Sequence, residues 1–165
     1  VTIDPIPFPP ADLAPDVRFE RLHASNDADV AFAYEVKREA IGPHVVQRWG
    51  RWDHEFQWAL HLKRFAERCF FRIVRDGRAV GTVALTQAGD HIRLDEFYLV
   101  PELHRQGLGT RVLDHILALA DEAGMPVRLQ YLKWNPVGSL YRRHGFLPVG
   151  ETDTHFMLER PKRQP

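Results

Sequence analysis

Val100-Pro101-Glu102-Leu103-His104-Arg105-Gln106-Gly107-Leu108-Gly109-Thr110 is the stretch from which the rest of the chain can be read. A strand from Ile92 to Val100 ends at Pro101, which has no amide to give to a ladder. After a short loop, Leu108, Val112, Leu113, Ile116, Leu117 and Ala120 recur at the spacing of an amphipathic helix. Two glycines thus stand at a helix start, where the first backbone amides lack intrahelical acceptors and the dipole end is positive. Glycine lets a ligand approach the backbone closely, and such a helix start binds anions, phosphates above all. His104, Arg105 and Arg111 add positive charge, and the next acid downstream is Asp114. A phosphate-bearing ligand is the physical inference. The plainer alternative is that Gly107 and Gly109 only shape a turn. There is no G-x-x-x-x-G-K-[ST], and no G-x-G-x-x-G opening a parallel strand-helix-strand unit.

Upstream, Phe71, Ile73 and Val74 lead to Asp76-Gly77, a hairpin dipeptide. Ala79–Thr86, the turn Ala88-Gly89-Asp90 and Ile92–Val100 then complete an antiparallel meander. Val17, Phe19 and Leu22 suggest a first strand. Asn26 or Asp27 caps a helix carrying Val30, Tyr34, Val36 and Ile41, which Gly42-Pro43 is expected to stop. A second helix is expected from about Asp53, with Phe56, Leu60 and Phe65 inward. The stretch 44–52 between them is an unusually aromatic connection. Downstream, Gly124 and Pro126 end the glycine-led helix, and Val127–Lys133 alternates as a strand. Asn135-Pro136 supplies an N-cap and first-turn proline for a short helix ending at Gly145, and strands near Phe146–Val149 and Thr154–Glu159 follow. Five prolines among the first fifteen residues make residues 1–16 an extended arm, 17–160 one domain and 161–165 a tail.

A chain of 165 residues has room for one domain with a real core. Lys and Arg number 22 against 22 Asp and Glu, so the formal charge is zero and a chain-wide footprint for nucleic acid or anionic membrane is excluded, which leaves room only for a local basic patch such as Arg105, Arg111, Arg142 and Arg143. The single cysteine, Cys69, rules out an internal disulfide and four-thiolate zinc sites. No run is apolar enough for a membrane helix, and a cytoplasmic location is expected.

Asn135-Pro136-Val137-Gly138-Ser139-Leu140-Tyr141-Arg142-Arg143-His144-Gly145-Phe146, taken with the glycine loop, resembles the GNAT superfamily of acyl-CoA-dependent N-acyltransferases. The family loop Q/R-x-x-G-x-G/A is matched by His104-Arg105-Gln106-Gly107-Leu108-Gly109, with His104 in place of Gln or Arg. The later L-Y-x-x-x-G-F is met by Leu140, Tyr141, Gly145 and Phe146. Asn135-Pro136 and the Gly150-Glu151-Thr152 turn resemble a bacterial subgroup. The resemblance implies an α+β fold in α/β/α layers, a mixed, mainly antiparallel twisted sheet splayed between its fourth and fifth strands and flanked by helices. Acetyl-CoA would lie in the gap. Backbone groups near Phe97–Val100, Leu99 and Val100 among them, would pair with the pantetheine amides, and an amide near Leu99 or Val100 would hold the oxyanion. The amides of Arg105 to Thr110 would hold the pyrophosphate, and the cofactor contacts would be His104, Arg105, Gln106, Gly107, Leu108, Gly109 and Thr110, with Asn135 and Tyr141.

The implied reaction is attack of an amine on a thioester, which needs a proton acceptor, an oxyanion donor and a proton for the leaving thiolate. By resemblance Tyr141 is the acid, since a phenol is protonated at pH 7. Glu96 is the preferred base and acceptor contact. By alternation it shares a face with Tyr98 and Val100, whereas Asp95 shares the other with Phe97 and Leu99, and both acids have a plain reading as solvated strand residues. In this superfamily the segment holding Trp49, Trp52, Trp58, His44, His54 and His61 roofs the acceptor site. Of these, Trp49 is the acceptor candidate and Trp58 the one expected to pack on the sheet. His54 and His61 are seven apart, without H-E-x-x-H, so no metal is expected. The partner is then a small-molecule amine or peptide, with neither nucleic acid nor membrane, and a homodimer is left open. The reading from another class is a catalytically weak acyl-CoA sensor that regulates a partner.

Overall fold

The computed structural model describes residues 16–103 and 107–164. The proline-rich arm, apart from Asp16, therefore lies outside the described residues, as do His104, Arg105 and Gln106. Alternating apolar and polar residues build strands β1 (Val17–Arg21), β2 (Phe70–Arg75), β3 (Arg78–Ala88), β4 (His91–Leu99), β5 (Val127–Leu132), β6 (Leu147–Glu151) and β7 (His155–Arg160). They form one seven-stranded sheet in the order β1-β2-β3-β4-β5-β7-β6. Every neighbouring pair is antiparallel except β4 and β5. The β2–β3 hairpin turns at Asp76 (φ 51°) and Gly77 (φ 76°), the two positive φ values that a tight two-residue turn requires.

Each face of the sheet buries its own set of side chains, because successive residues of a strand point to opposite sides. Phe71, Ile73, Val83, Leu85, Ile92 and Leu94 pack with Val112, Leu113 and Ile116 of α3 (Leu108–Glu122). Phe70 and Ala84 pack on the other side with Val30 and Ala33 of α1 (Asp27–Trp49) and Phe65 of α2 (His54–Glu67). The short α4 (Gly138–Arg143) lies between β5 and β6 in the chain. Arg160, 4% exposed, ties β7 to α3 through a two-armed pair with Asp121. No described helix is long and apolar enough to cross a membrane.

Gly42-Pro43 does not stop α1, which runs on to Trp49 and ends at Gly50 (φ 82°), whose amide donates to the Val46 carbonyl at 2.7 Å. An internal proline costs about 3 kcal/mol. Continuing the helix past Pro43 buries Val45, worth about 1.5–3 kcal/mol, and this offsets the break. The aromatic stretch after Pro43 is therefore helical as far as Trp49. α2 starts as expected, with Asp53 accepting from the Phe56 amide, but Phe56 itself is 61% exposed instead of inward.

The gap between β4 and β5 has a visible cause. Only Ile92, Arg93 and Leu94 pair with β5, opposite Val127, Arg128 and Leu129. Next along β4, Glu96 and Phe97 together oppose the single residue Val83, since Thr82 pairs with Tyr98 and Ala84 with Asp95. This is a β-bulge, and it bends β4 away from its partner. Glu96 takes a left-handed φ of 49°, and its carbonyl accepts a hydrogen bond from the buried Thr82 hydroxyl at 3.1 Å. Gly81 sits where β3 meets the bulged strand. A Cβ there would run into the Tyr98 carbonyl and lie 2.9 Å from Leu99 Cδ2. Gly81→Ala is expected to cost about 1–3 kcal/mol of stability through overpacking. An unchanged urea midpoint would show that the strands open at no cost.

Candidate active site

The site grows from the splay. A groove of about 480 Å³ lies between the C-terminal end of β4 and the start of α3 on one side, and the turn leading into α4 on the other. Phe97, Tyr98 and Leu99 line it from the strand, Gly107, Gly109 and Thr110 from the helix start, and Asn135 and Leu140 from the far wall. α3 begins at Gly107 (φ 78°) with no side-chain cap, and its first helical bond runs from the Arg111 amide to the Gly107 carbonyl. The amides of Leu108, Gly109 and Thr110 are thus the orphan donors of a helix start. Leu108 is buried in the core, so its contribution to the groove is its backbone. Only Gly107 needs glycine for its conformation. A Cβ on Gly109 would meet Leu99 Cδ1 at 3.6 Å and Leu140 Cδ2 at 3.8 Å, ordinary contacts, so the smallness of Gly109 matters only to what enters the groove.

Two expectations about this side change. Arg111 adds little charge to the groove, because Asp16 binds it at 3.0 Å and this pairing holds the Asp16 carboxyl below its ordinary value. The Val100 amide donates to the Val80 carbonyl at 2.9 Å, and the Val100 carbonyl accepts from the Leu103 amide. Alternation of an antiparallel ladder turns the Leu99 amide to the opposite edge of the strand, toward the gap. Of the two backbone positions named from the resemblance, Leu99 is therefore the one that faces the splay. Asn135 lines the groove, and its Oδ1 accepts from the Val137 amide at 3.2 Å. It closes the turn before α4, while the helix itself starts at Gly138 with Val137 at the cap position.

Through the splay, the groove meets a second cavity of about 340 Å³ under α1 and α2. Ile41, Phe97, Tyr98, Asn135 and Val137 border both spaces. Trp49 lines the cavity as the last residue of α1, 47% exposed, with Trp134 edge-on at 5.5 Å. The Arg48 guanidinium lies over the Trp134 ring at 4.9 Å. Trp52, His54 and Trp58 do not roof this cavity. They gather around Tyr34, whose hydroxyl accepts from Trp52 Nε1 at 2.9 Å and bonds His54 Nδ1 at 2.7 Å. His61 is buried beside them, its Nε2 donating to the Val30 carbonyl at 2.8 Å. Trp58 partly packs against the core on this face.

Tyr141 is 5% exposed on α4 and lines the cavity beside Tyr131 and Phe146, at 5.8 and 5.5 Å between ring centroids. Burial pushes its phenol pKa well up, so the proton stays on. Glu96 and Asp95 also line the cavity, because the bulge breaks the alternation that would have set them on opposite faces. Arg64 reaches Glu96 Oε1 at 3.2 Å and Arg68 reaches the same oxygen at 3.7 Å. Asp95 lies 2.8 Å from Arg93 and 3.5 Å from Arg68, yet burial raises its carboxyl above the ordinary range.

Sequence reasoning missed Lys37, Arg64, Arg68 and His155, all of which line the cavity. Lys37 had a signal, since it occupies a position of the apolar stripe Val30, Tyr34, Ile41 on α1. The arginines had none, because α2 meets the bulge only in three dimensions. His155 opens β7 with Nδ1 2.7 Å from the Thr154 hydroxyl, and burial lowers its pKa. Among the described residues, no group of three or more His, Cys, Asp or Glu side chains is arranged to hold a metal ion.

The fold has known counterparts. The PaiA N-acetyltransferase of Thermoplasma acidophilum, solved in complex with coenzyme A, superposes with a TM-score of 0.66 at 19% identity, over 88% of this chain and 98% of that one. The ribosomal-protein-S18-alanine N-acetyltransferase of Escherichia coli superposes with a TM-score of 0.64 at 17% identity, over 90% and 96%. At these identities the likeness concerns the fold. No curated protein matches the sequence at a significant level. The model of the acetyltransferase (GNAT) family matches residues 15–146, which span the meander, the glycine-led helix and α4. With the splay, the uncapped helix start and the groove between them all inside that match, this chain belongs to the GNAT acetyltransferase family.

Proposed function

We propose that this protein is an N-acetyltransferase that moves an acetyl group from acetyl-CoA to a primary amine within a ternary complex. The observation that carries this reading is the meeting of the groove and the cavity at Tyr98 and Asn135, which lets a donor and an acceptor approach one point from opposite sides of the sheet. Acetyl-CoA supplies the thioester, and transfer forms a C–N bond while the C–S bond breaks. The amides of Leu108, Gly109 and Thr110 bind the pyrophosphate, and the Leu99 amide holds the carbonyl oxygen as charge develops. Glu96 takes the amine proton through a water. Both of its arginine contacts fall on Oε1, which leaves Oε2 for that role. Tyr141 gives its proton to the departing thiolate. The Asn135-Pro136 and Leu140-Tyr141 signature is read as that of a bacterial subgroup.

Calorimetric titration of acetyl-CoA and CoA, followed by thiol release against a panel of amines, tests this reading. Binding with turnover is the expected result. Binding with no turnover on any amine favours an acyl-CoA sensor, and no binding by folded protein removes the cofactor site.

A further inference from the structure

The cavity under α1 and α2 has two unlike walls. Ile41, Val45 and Trp49 of α1 and Phe56 and Leu60 of α2 give it an apolar side that reaches the surface, with Trp49 and Phe56 left 47% and 61% exposed. Its inner side is ionic. Lys37 is 2% exposed there, and its Nζ has no hydrogen-bond partner among the described residues. Arg64 comes from α2, and Arg68 stands just past the C-terminal end of that helix. Two carboxylates, Asp95 and Glu96, share the cavity with these three basic side chains. The ion pairs that these two carboxylates make are all with arginines, Arg93 at the outer side among them. Glu96, Arg64 and Arg68 are the charged groups that act on Lys37, so one acid stands there against two further cations.

Burial pulls the Lys37 pKa down and the Glu96 charge pushes it back up without touching Nζ, so the ammonium is held there at a cost that a counter-ion in contact would remove. Methionine or leucine would fill the same stripe position at no such cost. A carboxylate arriving with a ligand would remove that cost by pairing with Lys37, and would balance the surplus charge of the wall. Bare amines bring the wrong sign, since they add a cation to a site already in excess.

We propose that the acceptor is an amino carboxylate with an apolar side chain. Its carboxylate pairs with Lys37, its apolar body packs on Trp49 and Phe56, and its amine points toward the junction with the groove. This rests on the transferase reading above and names the acceptor class for it.

Two measurements test the assignment. The first compares kcat/KM for matched pairs that differ only in the carboxylate, L-phenylalanine against phenethylamine and L-leucine against isoamylamine. The amino acid is expected to be preferred at least tenfold, and Lys37→Met to narrow that ratio at least fivefold. Because the substitution removes an unpaired buried charge, its Tm is expected to hold or rise. The second titrates N-acetyl-L-phenylalanine and N-acetylphenethylamine into the CoA-bound protein. The acid is expected to bind more tightly, and Lys37→Met to remove the difference. Equal or absent binding of the two overturns the assignment whatever the turnover shows, as does an equal loss on both members of a pair in Lys37→Met. Failure of acetyl-CoA itself to bind would instead remove the transferase reading.

Discussion

Tyr141→Phe is expected to lower kcat by about tenfold to a hundredfold while the affinity for CoA stays nearly the same, the pattern of an interaction made only in the transition state. The ring is set by packing, not by its hydroxyl. It is 5% exposed, wedged against Tyr131 and Phe146, so phenylalanine keeps the shape and loses only the proton. Burial also decides the pH behaviour. The charged phenolate is the form that desolvation disfavours, so the pKa rises and the acid stays protonated past the ordinary phenol value near 10. The kcat of the parent protein should therefore show no alkaline loss assignable to this residue below about pH 10. Single-turnover rates at saturating amine give the direct readout. An unchanged rate, with chemistry limiting, would take Tyr141 out of the mechanism.

Gly107→Val is expected to weaken CoA binding about tenfold or more, equivalent to about 1.4 kcal/mol. The position has φ 78°, and a β-branched residue there is strained by about 1–3 kcal/mol. Among the described residues, nothing beyond the chain neighbours lies within 4 Å of the added Cβ, so no clash with them adds to that strain. What the side chain would obstruct is the approach to the amides at the start of α3. Gly124→Val separates the two effects. Gly124 has φ 65° beyond the other end of the same helix, also with open space around it, and lies outside the groove. Both variants should lose similar stability on thermal melting, but only Gly107→Val should lose CoA affinity. Equal affinities in the two would place the pyrophosphate elsewhere.

The meander was legible because its signals are local. Asp76-Gly77 turns the chain, and the alternating residues on either side fix which face each buries. The glycine-led helix was legible for the same reason, since its apolar repeat and its missing cap both lie within a few residues. Glu96 shows where local reading stops. Period-2 alternation sets it opposite Asp95, whereas the bulge turns both into one cavity, and the bulge depends on Gly81 and Thr82 in a different strand. Pro43 is the converse case. Its local penalty is real, but burial of Val45 against the rest of the fold offsets it.

By itself the sequence determined the order of strands and helices, the two-faced sheet and the glycine-led start of α3, all of which follow from periodicity and capping over short windows. Tertiary structure alone decided that Trp49 lines the cavity while Trp52 turns to Tyr34, and that Arg64 meets Glu96 across 32 residues of chain. The physical reason is that charge pairing and burial depend on which distant segments pack together. The bulge at Glu96 sets that packing, by parting β4 from β5 and turning two carboxylates toward the helices.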